Sequence, residues 1–462
     1  MGNGAVHGYD QRGLSLLHGW LPWTVQVLVA VVILAAIGWR SRRWLLVWLP
    51  ASVLVGVLAM VGVMAYFTNQ GAITDPAPTL LWVWIGVTVT MLMVAVVGWR
   101  GIRWWRRGLS VLAVPVSLVC VALVLNQWVG YFPTAQAAWG EITSGPLPDQ
   151  VPASNLTSLQ GKGTTMTTGR VVAVNIPNTA SHFAHREEYV YLPPVWFTGP
   201  KHPNLPVIMM IPGEYNTAAD WMRTGNAQAI MDHDVQTHNG YSPILVFVDP
   251  GGTFNNDTEC VNGPRGNAAD HLTQDVRPYV ISQFEASADP AKWGIVGWSM
   301  GGTCATDLAL MHPDLFSTFE NIAGDIAPNS GDKQQTIQRL FGGNAAAYAS
   351  YDALTILTNH PRYTDTAGWY DDTNGIGARR PQQGHQGPHA GGGGGSGNEL
   401  AEAKQLCAAG PKEGVACTVQ TQSGGHTWQF ASQAFADALP WMDAWLQRSP
   451  GAPPPPLPPS TP

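Results

Sequence analysis

Charge is what this sequence has least of. Asp, Glu, Lys and Arg make up 12% of its 462 residues, about half their share in ordinary soluble domains. So little charge excludes a wholly soluble chain, and a formal net charge of −7 argues against a nucleic-acid binder. The deficit is uneven. Up to Pro133 there is no lysine, and eight arginines stand against Asp10 and Asp75, a balance of +6; the remainder, with 16 basic and 29 acidic residues, carries −13. Two differently built halves follow.

Four stretches contain no charged side chain at all: Leu21 to Trp39, Trp44 to Phe67, Leu80 to Trp99 and Leu109 to Val129. Each has about the twenty residues that cross roughly 30 Å of hydrocarbon as a helix. A cleaved signal peptide would place its basic residues before the first stretch, whereas Arg40, Arg42 and Arg43 come after it. These three and the arginines of the loop 100–107 account for seven of the eight. Because basic loops stay on the cytoplasmic side, both are expected there, which puts both chain termini outside the cytoplasm. Tryptophans crowd the span ends, where indole prefers the headgroup layer. Gly38-Trp39-Arg40 with Trp44 recurs as Gly98-Trp99-Arg100 with Trp104, so residues 1–133 read as two similar hairpins forming a four-span anchor in the lipid bilayer. With no ionisable group inside a span, anchoring is expected rather than transport.

Residues 134–165 are polar with scattered Pro and Gly and read as a linker. From 166 to 448, short β-rich runs alternate with helical patterns: Arg170 to Ile176, Tyr189 to Leu192, Val207 to Ile211, Ile244 to Val248, Trp293 to Val296, Thr318 to Ile322, Ala367 to Tyr370 and Cys417 to Gln422. Asp270 to Phe284 and Gly302 to Met311 are long enough for crossover helices. This alternation predicts an α/β domain with a mostly parallel sheet covered on both faces. Residues 378–398, with the run Gly391 to Gly395, read as a flexible insertion, and 449–462 as an extended, proline-rich tail. His385 and His389 lack acidic or thiol neighbours, so no metal site is expected from them. Four of the five cysteines fall in the exported half, where disulfides form. Cys407 is expected to pair with Cys417 across a short helix-to-strand segment, leaving Cys260 for Cys304.

Gly297-Trp298-Ser299-Met300-Gly301 follows an apolar strand and precedes a helix. In G-x-S-x-G at that place, the serine sits on a sharp turn with its hydroxyl exposed and becomes a nucleophile. A serine needs a base, and the base needs a carboxylate to fix its tautomer. His426, in Gly424-Gly425-His426-Thr427-Trp428 after the last strand, is expected to be that base; His360 and His312 are weaker candidates. For the acid, Asp372 is preferred, with Asp371 beside it and Glu402 as the alternatives, while Asp325 reads as a pocket or structural residue. Backbone N–H groups of Met300 and Glu214 are expected to face the oxyanion. No metal or organic cofactor is required by this chemistry.

The residues 170–446 resemble the esterase branch of the α/β-hydrolases, which includes S-formylglutathione hydrolases, feruloyl esterases and actinobacterial mycolyltransferases. The resemblance rests on Gly297-Trp298-Ser299-Met300-Gly301-Gly302 with His312-Pro313-Asp314-Leu315-Phe316, on Asp249-Pro250-Gly251-Gly252, and on Gly425-His426-Thr427-Trp428. It implies an α/β-hydrolase fold behind a four-helix transmembrane region. Among mycolyltransferases the acid is a helical Glu, which would make it Glu402; among formylglutathione hydrolases it is an Asp after a strand, which would make it Asp372. The expected function is a membrane-anchored, extracytoplasmic serine esterase or acyltransferase acting on an ester or acyl-lipid of the cell envelope. Mycolyl-type transfer to a sugar and a catalytically inert scaffold are the alternatives.

Overall fold

A computed structural model describes residues 14–38, 41–70, 77–99, 103–143, 145–199, 201–238, 240–374, 399–449 and 452–461. The apolar runs are helices: α1 (Trp20–Ile37), α2 (Leu49–Gln70, entered through a π-helical turn at Trp44–Trp48), α3 (Thr79–Val97) and α4 (Trp104–Val129). All four are long and apolar enough to cross a membrane. Besides small apolar clusters such as Val29, Leu81, Trp84, Cys120 and Val124, these helices meet through small residues and side-chain hydrogen bonds. A Cβ on Gly56 of α2 would lie 2.5 Å from the Gly86 carbonyl of α3, and Trp84 Nε1 donates to Gln26 Oε1 of α1 at 3.2 Å.

The chain divides into two units between Ser144 and Gly145, so the expected linker 134–165 is split. Its first part contains a helix, Ala135–Ile142. Its second part belongs to the α/β unit: Leu147 is buried, Val151 N donates to Val171 O, and Val171 N donates to Asp149 O. Backbone pairing, which polar composition does not reveal, fixes that segment.

Among the described residues the main sheet of the α/β unit has eight strands: β1 (Arg170–Val174), β2 (Glu188–Leu192), β3 (Val207–Ile211), β4 (Ile244–Phe247), β5 (Trp293–Trp298), β6 (Thr318–Ile322), β7 (Thr366–Thr373) and β8 (Val415–Gln422). Their spatial order is β1-β2-β4-β3-β5-β6-β7-β8. β2 is antiparallel to both its neighbours and every other pairing is parallel. This is the α/β-hydrolase fold. The central strands β3 to β6 are buried at every residue, as strands covered on both faces must be. The principal helices are α5 (Ala227–Thr237), α6 (Arg277–Phe284, continuing a π-helical stretch from His271), α7 (Met300–Met311), α8 (Lys333–Phe341), α9 (Glu399–Glu413) and α10 (Trp428–Gln447).

Two boundaries differ from expectation in ways that matter. α7 begins at Met300 rather than near Gly302, directly after the serine. β7 runs on to Thr373, so Asp371 and Asp372 lie within a strand rather than after it, because β8 pairs with it as far as Thr373↔Gln422. Both disulfides join the expected partners, Cys260 with Cys304 and Cys407 with Cys417, each with Cα atoms 5.6 Å apart. The insertion and its histidines His385 and His389 lie outside the described residues.

The proline-rich tail covers the outer edge of β8. Val419 N donates to Ser460 Oγ at 3.0 Å, Thr461 N to Val419 O at 2.9 Å, and Thr418 Oγ1 to Pro458 O at 2.8 Å. An uncovered edge is a template for aggregation, and prolines cannot extend the ladder outward. Ending the chain after Ser449 is therefore expected to speed hydrogen exchange at the Val419 amide and lower the unfolding temperature by a few degrees. Unchanged protection at Val419 would contradict the edge-covering role.

Candidate active site

The turn from β5 into α7 is built on close approach. A Cβ on Gly297 would sit 1.6 Å from the Gly301 carbonyl, and one on Gly301 2.3 Å from the Ile211 carbonyl. Any side chain at either position would force strand and helix apart. Ser299, held between them, has φ 58° and ψ −122°, a conformation that costs a non-glycine residue on the order of 1–3 kcal/mol. Its N–H donates to Ile322 O at 2.9 Å, and α7 is buried from Met300 through Leu310. Cys304, one turn along, is tied to Cys260. Closing that 44-residue separation contributes roughly 4 kcal/mol in a chain-entropy account.

His426 lies between β8 and α10, whose N-cap is Thr427. Its Nε2 is 2.9 Å from Ser299 Oγ. The imidazole rests on Trp298, ring centroids 4.2 Å apart, and Trp298 in turn meets Trp428 and Phe430. His312 and His360 are placed elsewhere. His312 follows the far end of α7, about 18 Å from Ser299 by helical rise, and His360 stacks on Tyr363.

The three candidate acids fall on two faces of the sheet. Asp371 points toward α10: it accepts hydrogen bonds from Trp369 Nε1 and Gln422 Nε2, and the Trp369 ring packs on Trp441. Asp372, one residue on, faces the other side, as strand alternation requires. Its carboxylate accepts the Thr373 N–H. Burial pushes it up to about 7, helped by the negative charges of Glu399, Asp371 and Glu402. Glu402 Oε2 accepts the Ile326 N–H at 2.9 Å. Asp325 belongs to the same group and is raised to about 7 by burial and by Glu399 and Glu402. Asp372 and Glu402 are thus brought together, and Asp371 is turned away.

The loop after β3 crosses in front of the serine. A Cβ on Gly213 would be 3.2 Å from Ser299 Cβ, and the turn closes with Asn216 N donating to Gly213 O. Met300 N–H, at the first position of α7, is one of the amides a helix leaves without an intrahelical acceptor. The Glu214 carboxyl is raised to about 7 by burial and then by the charge of Asp257. A small concavity here is lined by Arg186, Glu214, Tyr215, Asn216, Phe254 and Met300, among others.

Sequence reasoning missed what holds that loop. Arg186 Nη2 donates to Asn216 O at 2.7 Å and to the buried carboxylate of Asp249 at 2.6 Å. Asp249 also accepts the Gly251 and Gly252 amides, and its N–H donates to Glu188 Oε1. Glu188 lies between His185 and His271. Although burial works against a charged ring, Glu188 and Asp275 together raise the His271 imidazole. His185, Glu188 and His271 lie within ligand range of one another. However, the two rings are stacked at 4.4 Å and 19°, so their in-plane lone pairs do not converge on one ion. The usable signal was the charge-dense His185-Arg186-Glu187-Glu188 in a chain so short of charge.

Residues 184–382 match the family model described as putative esterase. An uncharacterized protein of Corynebacterium glutamicum is 27% identical over 377 residues, covering 80% of this chain and 82% of its own. That share exceeds the α/β unit, so the similarity reaches into the helical unit. Among solved structures, a ferulic acid esterase is similar at 18% identity and TM-score 0.46, over 60% of this chain and 99% of that one. An S-formylglutathione hydrolase from Agrobacterium tumefaciens is similar at 19% and 0.46, over 61% and 97%. MPT51 of Mycobacterium tuberculosis is similar at 16% and 0.40, over 60% and 100%.

Because the Asp325 carboxyl is raised from 3.8 to about 7, the folded chain retains there a proton that the unfolded chain has lost. The stability this gives is present below the unfolded value and disappears as pH rises through the folded one. Asp325→Asn is expected to leave stability near about pH 4 unchanged and to raise it near about pH 8, measured by thermal unfolding. An equal shift at both pH values would contradict this.

Proposed function

We propose that this chain, an α/β-hydrolase with a putative-esterase match over residues 184–382, is a serine esterase or acyltransferase held at a membrane by its four N-terminal helices. The observation that carries the reading is the 2.9 Å approach of His426 Nε2 to Ser299 Oγ, on a serine whose backbone is strained at φ 58°. His426 takes the hydroxyl proton as Ser299 Oγ bonds to the ester carbonyl carbon. The N–H groups of Met300 and Glu214 receive the oxyanion. The tetrahedral adduct collapses, the C–O bond to the alcohol breaks, and His426 returns the proton to the leaving alkoxide. Water or a second alcohol then attacks the acyl-enzyme by the same route, giving free acid or a new ester. A carboxylate of the Asp372 and Glu402 group orients His426.

The arginine-bearing loops, 40–43 and 100–107, lie on the cytoplasmic side in this reading. The α/β unit and both termini then face outward, where its two disulfides form. The substrate is an ester or acyl-lipid of the envelope. Transfer to a sugar acceptor is the alternative outcome of the same acyl-enzyme.

A fluorophosphonate probe is expected to label the wild-type protein and not Ser299→Ala. His426→Ala is expected to slow labelling and ester turnover by on the order of 10⁴-fold or more. Among Asp371→Asn, Asp372→Asn and Glu402→Gln, the acid is the one whose loss approaches that of His426; full reactivity in all three would remove the third member. An unlabelled wild-type protein would favour an inert scaffold.

Arg186→Lys keeps the charge but loses the fork that spans Asp249 and Asn216. It is expected to lower kcat by roughly tenfold or more with little change in KM, as a misplaced oxyanion donor should. An unchanged kcat would show that the loop holds its place without Arg186.

A further inference from the structure

Asp234 and His238 lie one turn apart at the C-terminal end of α5, and Asp443 faces them from α10. One ligand atom from each, two carboxylate oxygens and an imidazole nitrogen, falls within 4.8 Å of the others. The two carboxylates are over nine-tenths buried, whereas the His238 side chain is 48% exposed and opens the group to solvent. Asp443 Oδ2 accepts from Gln447 Nε2, but Asp443 Oδ1, equally buried, has no hydrogen-bond partner among the described residues. Asp234 is partnered by His238, with Nδ1 to Oδ1 at 3.1 Å, while its own buried Oδ2, like Asp443 Oδ1, has no hydrogen-bond partner among the described residues.

A buried carboxylate oxygen without a donor, next to a second buried carboxylate, is costly unless a proton or a cation lies between them. The cationic groups that counter Asp234 are imidazoles, His238 and His233; for Asp443 the counter-charge is His238. No permanently charged guanidinium or ammonium is among these. The end of α5 adds the negative pole of a helix, which favours a cation.

We propose that Asp234, His238 and Asp443 form a binding site for a first-row divalent cation, with zinc the best match, joining α5 to α10. Two carboxylates with one imidazole suit zinc better than calcium or magnesium, which prefer oxygen alone. Zinc ligands about 2.0–2.1 Å from the ion lie about 3.3 Å from each other, so small side-chain rotations close the observed group around it. Three protein ligands leave a fourth position for water at the exposed side. The site lies near the opposite end of α10 from His426, some four turns away, so its role is to join helices rather than to take part in ester chemistry.

The test uses the full-length protein in detergent, stripped with chelator and titrated with zinc near neutral pH. The expected result is one zinc per chain by elemental analysis and a rise of several degrees in unfolding temperature. His238→Gln and Asp443→Asn should each weaken zinc binding at least tenfold, while fluorophosphonate labelling of Ser299 persists. Absence of stoichiometric zinc in the wild type would overturn the proposal, as would a zinc response that both variants retain. A carboxyl pair sharing one proton predicts instead no zinc response and a more stable Asp443→Asn protein without metal, and that result would also overturn it.

Discussion

The contact on which the site depends is the approach of β5 to α7 around Ser299. With no Cβ at Gly297 or Gly301, the strand can turn straight into the helix, and the serine between them is held at positive φ. That geometry has several consequences at once. It lifts the hydroxyl clear of the sheet, leaves the Met300 amide at an open helix terminus, and draws α7 onto the Ile211 carbonyl at the start of the loop that crosses in front of Ser299. The strain is offset by surroundings that allow no relaxation: a buried helix, a backbone hydrogen bond to β6 and a disulfide to the loop after β4.

Around this turn the protein concentrates the charge it lacks elsewhere. Glu214, Asp325 and Asp372 are each raised to about 7, because burial and neighbouring carboxylates both oppose ionisation. Against them stands the Arg186–Asp249 pair, which runs from the buried Glu188 and His271 group to the carbonyl of Asn216. Charged side chains are few in this chain, and here they are placed where a loop or a proton must be held.

The helical unit obeys the same chemistry with the opposite outcome. Its runs carry no charge, so apolar surface can face outward, and helices meet where Gly56 lets backbones approach. The α/β unit buries its apolar runs inside, and its long-range constraints are hydrogen bonds, disulfides and the tail that covers β8.

The sequence by itself determined what depends on neighbours along the chain. Four uncharged runs that fold as helices long and apolar enough to cross a membrane, strand and helix periodicity, and the glycine spacing around Ser299 are all local, and each was legible. Both cysteine pairings also followed, since few partners were available. Tertiary structure decided the rest. Asp371 and Asp372 are adjacent in sequence, yet strand alternation and the extended pairing of β7 with β8 send them to opposite faces. Residues 145–165 read as spacer because backbone hydrogen bonds leave no mark on composition. The Arg186 clamp and the Asp234–His238–Asp443 group join segments far apart in the chain. Their energies come from distance and burial, which exist only once the sheet has formed.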